Sequence, residues 1–323
     1  MNGDRFLSYQ VAGTDPLAPV FPNIPSTGLS SQIVPPSINA FAPGYRNTYQ
    51  LQGNMQIQRE LGWHSIMTVG YNYAAQRHGI YSENINLGAP VSYLADGRPV
   101  YGGPRPNPAF NQINLIESGG NTNYNAMFVN LKKNLSQGLL VNVTWTWSHS
   151  LANTLGEGGA PEDPSNLQRD YGNSDDDVRH YVVGQALYEP RFSAPGFHWV
   201  NGFELSSTML YNSGYPINVT SGIDLNKDGN LNDRPLFVGR NSLTGPSILE
   251  VDARLQRAFI VRERFHLIAS MEAENLLNST NPACSTSGGC TGAVISTAGA
   301  VDFGRITSAR TARNVQFGVK VTF

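Results

Sequence analysis

Three observations predict the fold. Nine stretches of the chain alternate apolar and polar residues with a period of two. The connections between them alternate strictly between short and long. Nothing approaches the ~18 consecutive apolar residues of a membrane helix. Together these predict an all-β fold, an antiparallel transmembrane β-barrel with long extracellular loops and short periplasmic turns.

The alternation is clearest at 49–58, where Tyr49, Leu51, Met55 and Ile57 share one face and Gln50, Gln52, Asn54, Gln56 and Gln58 share the other. A helix would smear these two sets around its circumference, whereas a strand separates them. Met67, Val69, Tyr71 and Tyr73 repeat the pattern, followed by Met127, Val129 and Leu131, and by Val141, Val143, Trp145 and Trp147. In 178–188 the polar Gln185 sets the parity and places Val182, Gly184, Ala186 and Tyr188 outward. Trp199, Phe203, Leu205, Met209 and Tyr211 form the sixth set, Leu249, Val251, Ala253 and Leu255 the seventh, and Phe265, Leu267, Ala269, Met271 and Ala273 the eighth. The ninth is Val315, Phe317, Val319, Val321 and Phe323. A tilted strand crosses a bilayer in about 9–11 residues, which these lengths suit.

Alternation by itself also fits a soluble, secreted β-sandwich with its apolar face packed inward. The connections separate the two folds. Residues 59–64, 133–138, 189–198 and 258–264 are short links, and 77–121, 151–177, 212–248 and 276–313 are long ones. A sandwich has no reason to keep every long loop at one end. Tight periplasmic turns and large external loops are the outer-membrane arrangement. Aromatic placement agrees: Trp145, Trp147, Tyr71, Tyr73 and Tyr211 fall near outer strand ends and Trp199 near an inner one, as interface girdles do.

Composition narrows the function. Net charge is −2, so no basic surface offers itself to nucleic acid. Charged residues are only 14% against about 25% in an average soluble domain. Mean hydropathy is −0.28, a value that a strand-built membrane protein reaches because half its residues are polar.

The loop order also fixes direction. The last strand follows a long loop and runs from outside to periplasm, and counting back, so does the first. Residues 1–46 are then expected to be the remnant of an extracellular loop and 47–323 the barrel strands. Nine strands break the even count of single-chain bacterial barrels. Further strands are therefore expected upstream, unless 1–46 or 300–306 holds one more. The N-terminus has no basic start followed by an apolar core, so it does not read as a signal peptide.

Several short stretches carry a family resemblance. They are Tyr124-Asn125-Ala126-Met127, Trp145-Thr146-Trp147-Ser148-His149-Ser150-Leu151, Asp177-Val178-Arg179-His180, Ser213-Gly214-Tyr215-Pro216, Glu272-Ala273-Glu274-Asn275-Leu276-Leu277-Asn278 and Phe303-Gly304-Arg305-Ile306. In order and spacing they resemble the C-terminal β-barrel portion of Oar-like TonB-dependent receptors, from about Tyr49 onward. The resemblance implies a larger barrel of about 22 strands around a plug. It also implies a carboxypeptidase-regulatory-like domain before the plug and energy from the TonB complex, reached through an N-terminal plug region that this sequence does not contain. Val315, Phe317, Val319, Val321 and the terminal Phe323 resemble the signal read by the barrel-assembly machinery.

The sharpest chemical motif is Asp224, Asn226, Asp228, Asn230 and Asn232 at every second position, with Gly229 in the sixth place and Asp233 following. Oxygen ligands at that spacing around a glycine match the start of an EF-hand-type calcium loop. Pro235 stands where the twelfth-place Glu belongs, leaving Asp233 as the late carboxylate. Two readings stand: Ca²⁺ holding an external loop in shape, or an Asn/Asp-rich turn. Cys284 and Cys290 likewise allow a small disulfide loop in an oxidising compartment or two reduced thiols. No second cysteine pair accompanies them, so zinc is not indicated.

The run Asp175, Asp176, Asp177 reads as solvated carboxylates. Glu204, Glu250, Asp252, Arg254, Glu272 and Glu274 face the lumen and are expected to pair across strands, and His149 with His180 does not make a metal site. No cofactor is required, and no phosphate-binding loop, Gly-x-Ser-x-Gly or His-Glu-x-x-His occurs, so an enzyme is not expected. The expected function is binding and moving a solute, of unread identity, across the outer membrane, with outer-membrane lipid as surroundings. The alternatives are a passive pore or structural surface barrel, and the soluble secreted β-sandwich.

Overall fold

The computed structural model describes residues 35–154, 158–194, 196–261, 265–285 and 289–322. Fifteen strands follow in chain order: β1 (Ile38–Phe41), β2 (Tyr49–Gly62), β3 (Ser65–Asn84), β4 (Pro90–Tyr93), β5 (Pro99–Tyr101), β6 (Ile113–Ser136), β7 (Leu139–Ala152) and β8 (Gly172–Asn173). Then come β9 (His180–Tyr188), β10 (Phe203–Asn212), β11 (Pro216–Ile217), β12 (Leu243–Thr244), β13 (Ile248–Val261), β14 (Phe265–Glu274) and β15 (Asn314–Thr322). Nine of them form one sheet in the order β15-β14-β13-β10-β9-β7-β6-β3-β2, each antiparallel to its neighbours. These are the nine alternating segments, joined in chain order. β1 adds a short parallel pairing to the start of β6, and β8 pairs with the end of β7. Residues 38–41 are thus a strand within the segment expected to be loop, four residues long.

The register aligns the faces. Met55, Tyr71, Met127 and Trp147 lie opposite one another across four strands, and each is more than a third exposed. Leu205, Leu255, Met271 and Phe317 form a second such row nearer the short turns. On the other face Asn130 donates to Asn142 and Thr144, Thr208 to Asp252, and Gln316 to Glu272. The apolar face is the exposed one, the reverse of a sandwich, and a single large sheet has no second sheet to cover it. Contiguous exposed apolar surface on this scale marks a surface made for an apolar medium. Phe128 is a large apolar side chain on the polar face, between Gly70 and Thr146. It fits because Gly70 opposite has no side chain; a Cβ there would lie 2.4 Å from the ring.

Turn chemistry sets the short links. Trp63 and His64 both have positive φ (46° and 58°), as do Gln137 and Gly138 (52° and 78°), the twist-matched hairpin geometry. Gly138 is required twice over, because a Cβ would meet the Glu189 carbonyl oxygen at 2.0 Å.

β2, β6 and β13 run into the expected short links, to Gly62, Ser136 and Val261, and two further boundaries differ from the expectation. β3 and β6 run on to Asn84 and back to Ile113, so the long loop between them is only 85–112. Above the Tyr71 row the outward positions of β6 become Asn125, Asn123 and Asn121, facing Tyr73, Ala75 and Arg77 of β3. Pairing continues there while the apolar signal stops, and His78 (φ 58°) marks a bulge in the register. At the other end Trp199 belongs to the 3₁₀ turn His198–Val200, and β10 starts at Phe203 because Gly202 (φ 88°) breaks the extended run.

A cation on the exposed face of the barrel midplane costs about 2–4 kcal/mol. Val69→Arg, on the exposed face further from the turn, is expected to lower stability against urea in lipid vesicles by that amount, with Thr68→Arg on the opposite face near neutral. Equal effects for the two substitutions would reverse the assignment of faces.

Candidate functional site

Beneath the long loops, the polar face of the sheet carries a cleft of about 570 Å³. Gln50, Gln76, Thr122, Tyr124, Thr146 and Tyr181 reach it from five adjacent strands, and Asp176 and Tyr215 descend from the loops. Its chemistry is that of neutral hydrogen bonding: amides, hydroxyls and phenols, with one carboxylate. Burial, then Tyr181 beside it, pushes the Tyr215 phenol up. A second cavity of about 520 Å³ lies along the strands towards the turn end, lined by Gln185, Thr208, Asp252, Arg254, Glu272 and Glu274. There Arg254 pairs with Glu272 at 3.1 Å, and above it Arg310 pairs with Glu250 at 3.1 Å.

The loops form an ordered canopy with two cores. One is apolar: Val178, Tyr215, Ile217, Ile248, Ala293 and Val294 are buried around Cys284 and Cys290, which are joined in a disulfide. The other is ionic. Arg98 is fully buried; its Nε donates to Asp96 (2.9 Å), its Nη1 to Glu162 (2.7 Å) and Asp233 (2.9 Å), and its Nη2 to the Arg234 carbonyl (2.9 Å). Arg234 answers it, pairing with Glu162 and with Asp170 (2.7 Å) and donating to the Arg169 carbonyl (2.9 Å). Arg169 reaches Asp163 at 3.0 Å. This network ties together the loops at 85–112, 153–179 and 213–247. Burial pushes the Glu162 carboxyl up, and the two arginines oppose that shift.

The acid and amide residues singled out by sequence lie in the third of these loops. Asp224 accepts the N–H groups of Asp228 (3.2 Å) and Gly229 (2.9 Å), Asn226 accepts that of Asp228 (3.0 Å), and Asp228 accepts that of Asn230 (2.7 Å). Gly229 has φ 90°, the left-handed turn that the spacing requires. Asn226 and Asn232 donate to the Glu162 and Ala160 carbonyls (2.7 and 2.9 Å), which fastens the loop to its neighbour. Asp233 is turned away to Arg98 and to the N–H groups of Leu225 and Asn226. Among the described residues, no three His, Cys, Asp or Glu side chains gather closely enough to hold a metal by themselves. Burial, with Asp224 and Asp233 adding to it, pushes the Asp228 carboxyl up to about 6.

The other carboxylates are engaged rather than merely solvated. Asp177 is buried, accepting the Ser150 N–H (2.7 Å) and facing Arg179 and His149 (both 3.2 Å), while Asp175 faces Arg240 (3.3 Å) and Asp176 the Ser174 hydroxyl. His180 stacks on Trp145 instead of meeting His149. Val315, Phe317, Val319 and Val321 all lie exposed on β15, and Phe323 is outside the described residues. The cleft tyrosines and the arginine network are what sequence reasoning missed. Its only trace is Arg234 directly after the Asp233 of the acidic motif.

Removing one partner of a buried ion pair costs about 3–5 kcal/mol, because the other charge stays buried alone. Arg234→Met is expected to raise hydrogen exchange throughout all three canopy loops while the sheet amides stay protected. Exchange confined to the loop that carries the substitution would show that the loops are not locked together.

Comparison with known proteins agrees with this architecture. The family described as outer membrane beta barrel domain matches residues 4–239 and 237–316. No curated protein sequence matches the chain. Among solved structures, the outer membrane transporter YddB from Escherichia coli superposes with a TM-score of 0.53 at 12% identity, over 90% of this chain and 34% of that one. P. aeruginosa FpvA bound to heterologous pyoverdines gives 0.48 at 10% identity, over 84% and 27%. The FrpB iron transporter from Neisseria meningitidis gives 0.47 at 12%, over 88% and 33%. The chain thus spans about a third of the length of the solved proteins it resembles. With a family match along most of its length and an exposed apolar face on an antiparallel sheet, the chain belongs to the outer membrane beta barrel domain family and is a protein of the outer membrane.

Proposed function

We propose that this chain is the C-terminal sector of the barrel of an Oar-like TonB-dependent receptor, which binds a solute at the cell surface and moves it across the outer membrane. The observation that carries the reading is the open sheet. β2 and β15 lie at its two edges, and among the described residues neither has a partner on its outer side. Hydrocarbon cannot satisfy those backbone groups, so the barrel must be closed by further strands. Nine strands whose two edges do not pair with each other are, on this reading, a sector of a larger barrel. Barrels of that size among outer-membrane transporters hold a plug in the lumen. The motifs from Tyr124 to Ile306 favour the Oar-like branch. The canopy and the cleft beneath it are where a solute arriving from outside would first be held, and no catalytic arrangement is invoked.

The reading frame upstream of Met1 is expected to encode a plug and a TonB-contacting segment. Uptake of the solute by cells carrying the whole reading frame should cease when TonB is deleted. An isolated start signal just before Met1, with a permeability indifferent to TonB, would leave a passive surface barrel closed by copies of itself.

A further inference from the structure

We infer that residues 224–233 form a calcium site, which fixes the 213–247 loop against its neighbours; this goes beyond the transport reading and does not depend on it. Asp228 is 2% exposed, and its Oδ2 has no hydrogen-bond partner. Its buried acidic neighbours are all neutralised: Glu162 and Asp233 hold Arg98, and Asp170 holds Arg234. Among the described residues Asp228 alone of this group has no cation. An uncompensated buried carboxylate is costly, and such groups are normally paired or coordinate metals. Its Oδ1 is held by the Asn230 N–H, so the carboxylate is turned over its own loop. A second buried oxygen in the same loop, Oδ1 of Asn232, is also without a partner, while its Nδ2 is fixed to the Ala160 carbonyl.

The donors available are mixed. They comprise the carboxylates of Asp224 and Asp228, the amide oxygens of Asn226 and Asn232, and the main chain at Asn230, the seventh place of the motif. This mixture explains why no three carboxylates converge. Asp233, the late carboxylate of the pattern, is bound to Arg98 and serves the neighbouring network instead. Calcium accepts carboxylate, amide and carbonyl oxygens in a flexible shell, whereas magnesium demands a near-ideal octahedron and keeps its waters. The charge count of two carboxylates suits the weak affinities of extracellular modules, about 10⁻⁴–10⁻³ M.

The test uses the full-length protein in detergent, stripped of divalent ions, so that bridging of lipopolysaccharide plays no part. Calcium chloride alone is titrated while a protease cuts within 213–247. At ten times the dissociation constant, cleavage is expected to slow about tenfold. The same concentration of magnesium should give little protection. Asp228→Asn and Asp224→Asn should each abolish the effect, and Asp176→Asn, in the adjacent loop, should retain it. Terbium luminescence should saturate on the wild type, be displaced by calcium and vanish in Asp228→Asn. Should Asp228→Asn fail to fold, Asn232→Ala and the wild-type titration decide in its place. Cleavage indifferent to calcium in protein that still migrates as a folded barrel overturns the site, as does protection that survives both aspartate substitutions.

Discussion

The bilayer core offers a polypeptide backbone no hydrogen-bond partner. Everything in the sheet follows from that. Each strand must be paired on both sides, which makes the sheet continuous from β2 to β15 in chain order. Each strand must also show lipid an apolar side chain at every second position, which produces the rows through Met55, Tyr71, Met127 and Trp147. The polar face is then free of the lipid constraint. It can carry amides, hydroxyls and paired charges such as Arg254 with Glu272. The same constraint makes the edges at β2 and β15 incompatible with an isolated sheet in a membrane.

Above the aromatic rows the constraint lifts, and the chain changes its means of cohesion. The outward positions of β6 become asparagines, at 125, 123 and 121, yet pairing continues to Asn84, Ile113 and Ala152. The loops have too few apolar residues to pack on hydrophobicity alone. They bury a small disulfide-centred cluster and, beside it, Arg98 and Arg234 with four carboxylates. A buried ionic core is weak evidence of net stability, because desolvation offsets most of the attraction. What it supplies is definition. Arg98 finds partners from three loops and Arg234 several from the 153–179 loop, each in one geometry, and a slipped loop would leave a charge buried and alone.

The sequence therefore exposed the barrel and concealed the canopy. Tyr71, Met127 and Trp147 were legible because lipid imposes the same period on every strand. Strand ends beyond the bilayer were not, since Asn123, Asn125 and His149 look like loop residues when read singly. Trp199 kept the parity of β10, but Gly202 between them broke the strand. The motif from Asp224 to Asp233 was legible as a local turn, because its hydrogen bonds run between residues two to eight apart. Its attachments were hidden: Asn226 reaches the Glu162 carbonyl 64 residues away, and Arg98 reaches Asp233 across 135. No period relates such partners. An arginine in a Gly- and Pro-rich loop looks solvated until the fold brings its carboxylates to it.

Asp233 is where the local and the distant meet. One of its oxygens accepts the N–H groups of Leu225 and Asn226 and so shapes the acid and amide loop; the other holds Arg98 and so belongs to the network. Glu162 has the same double part, giving its carbonyl to Asn226 and its carboxylate to both arginines. The conformation of the 224–233 loop and the packing of the other two long loops are therefore one equilibrium rather than two. Whatever orders that loop also orders the canopy, and the canopy lies directly over the cleft of Tyr124, Tyr181 and Tyr215. The loops above the cleft are thus held by polar contacts outside the membrane, while the sheet beneath them is shaped by the membrane itself.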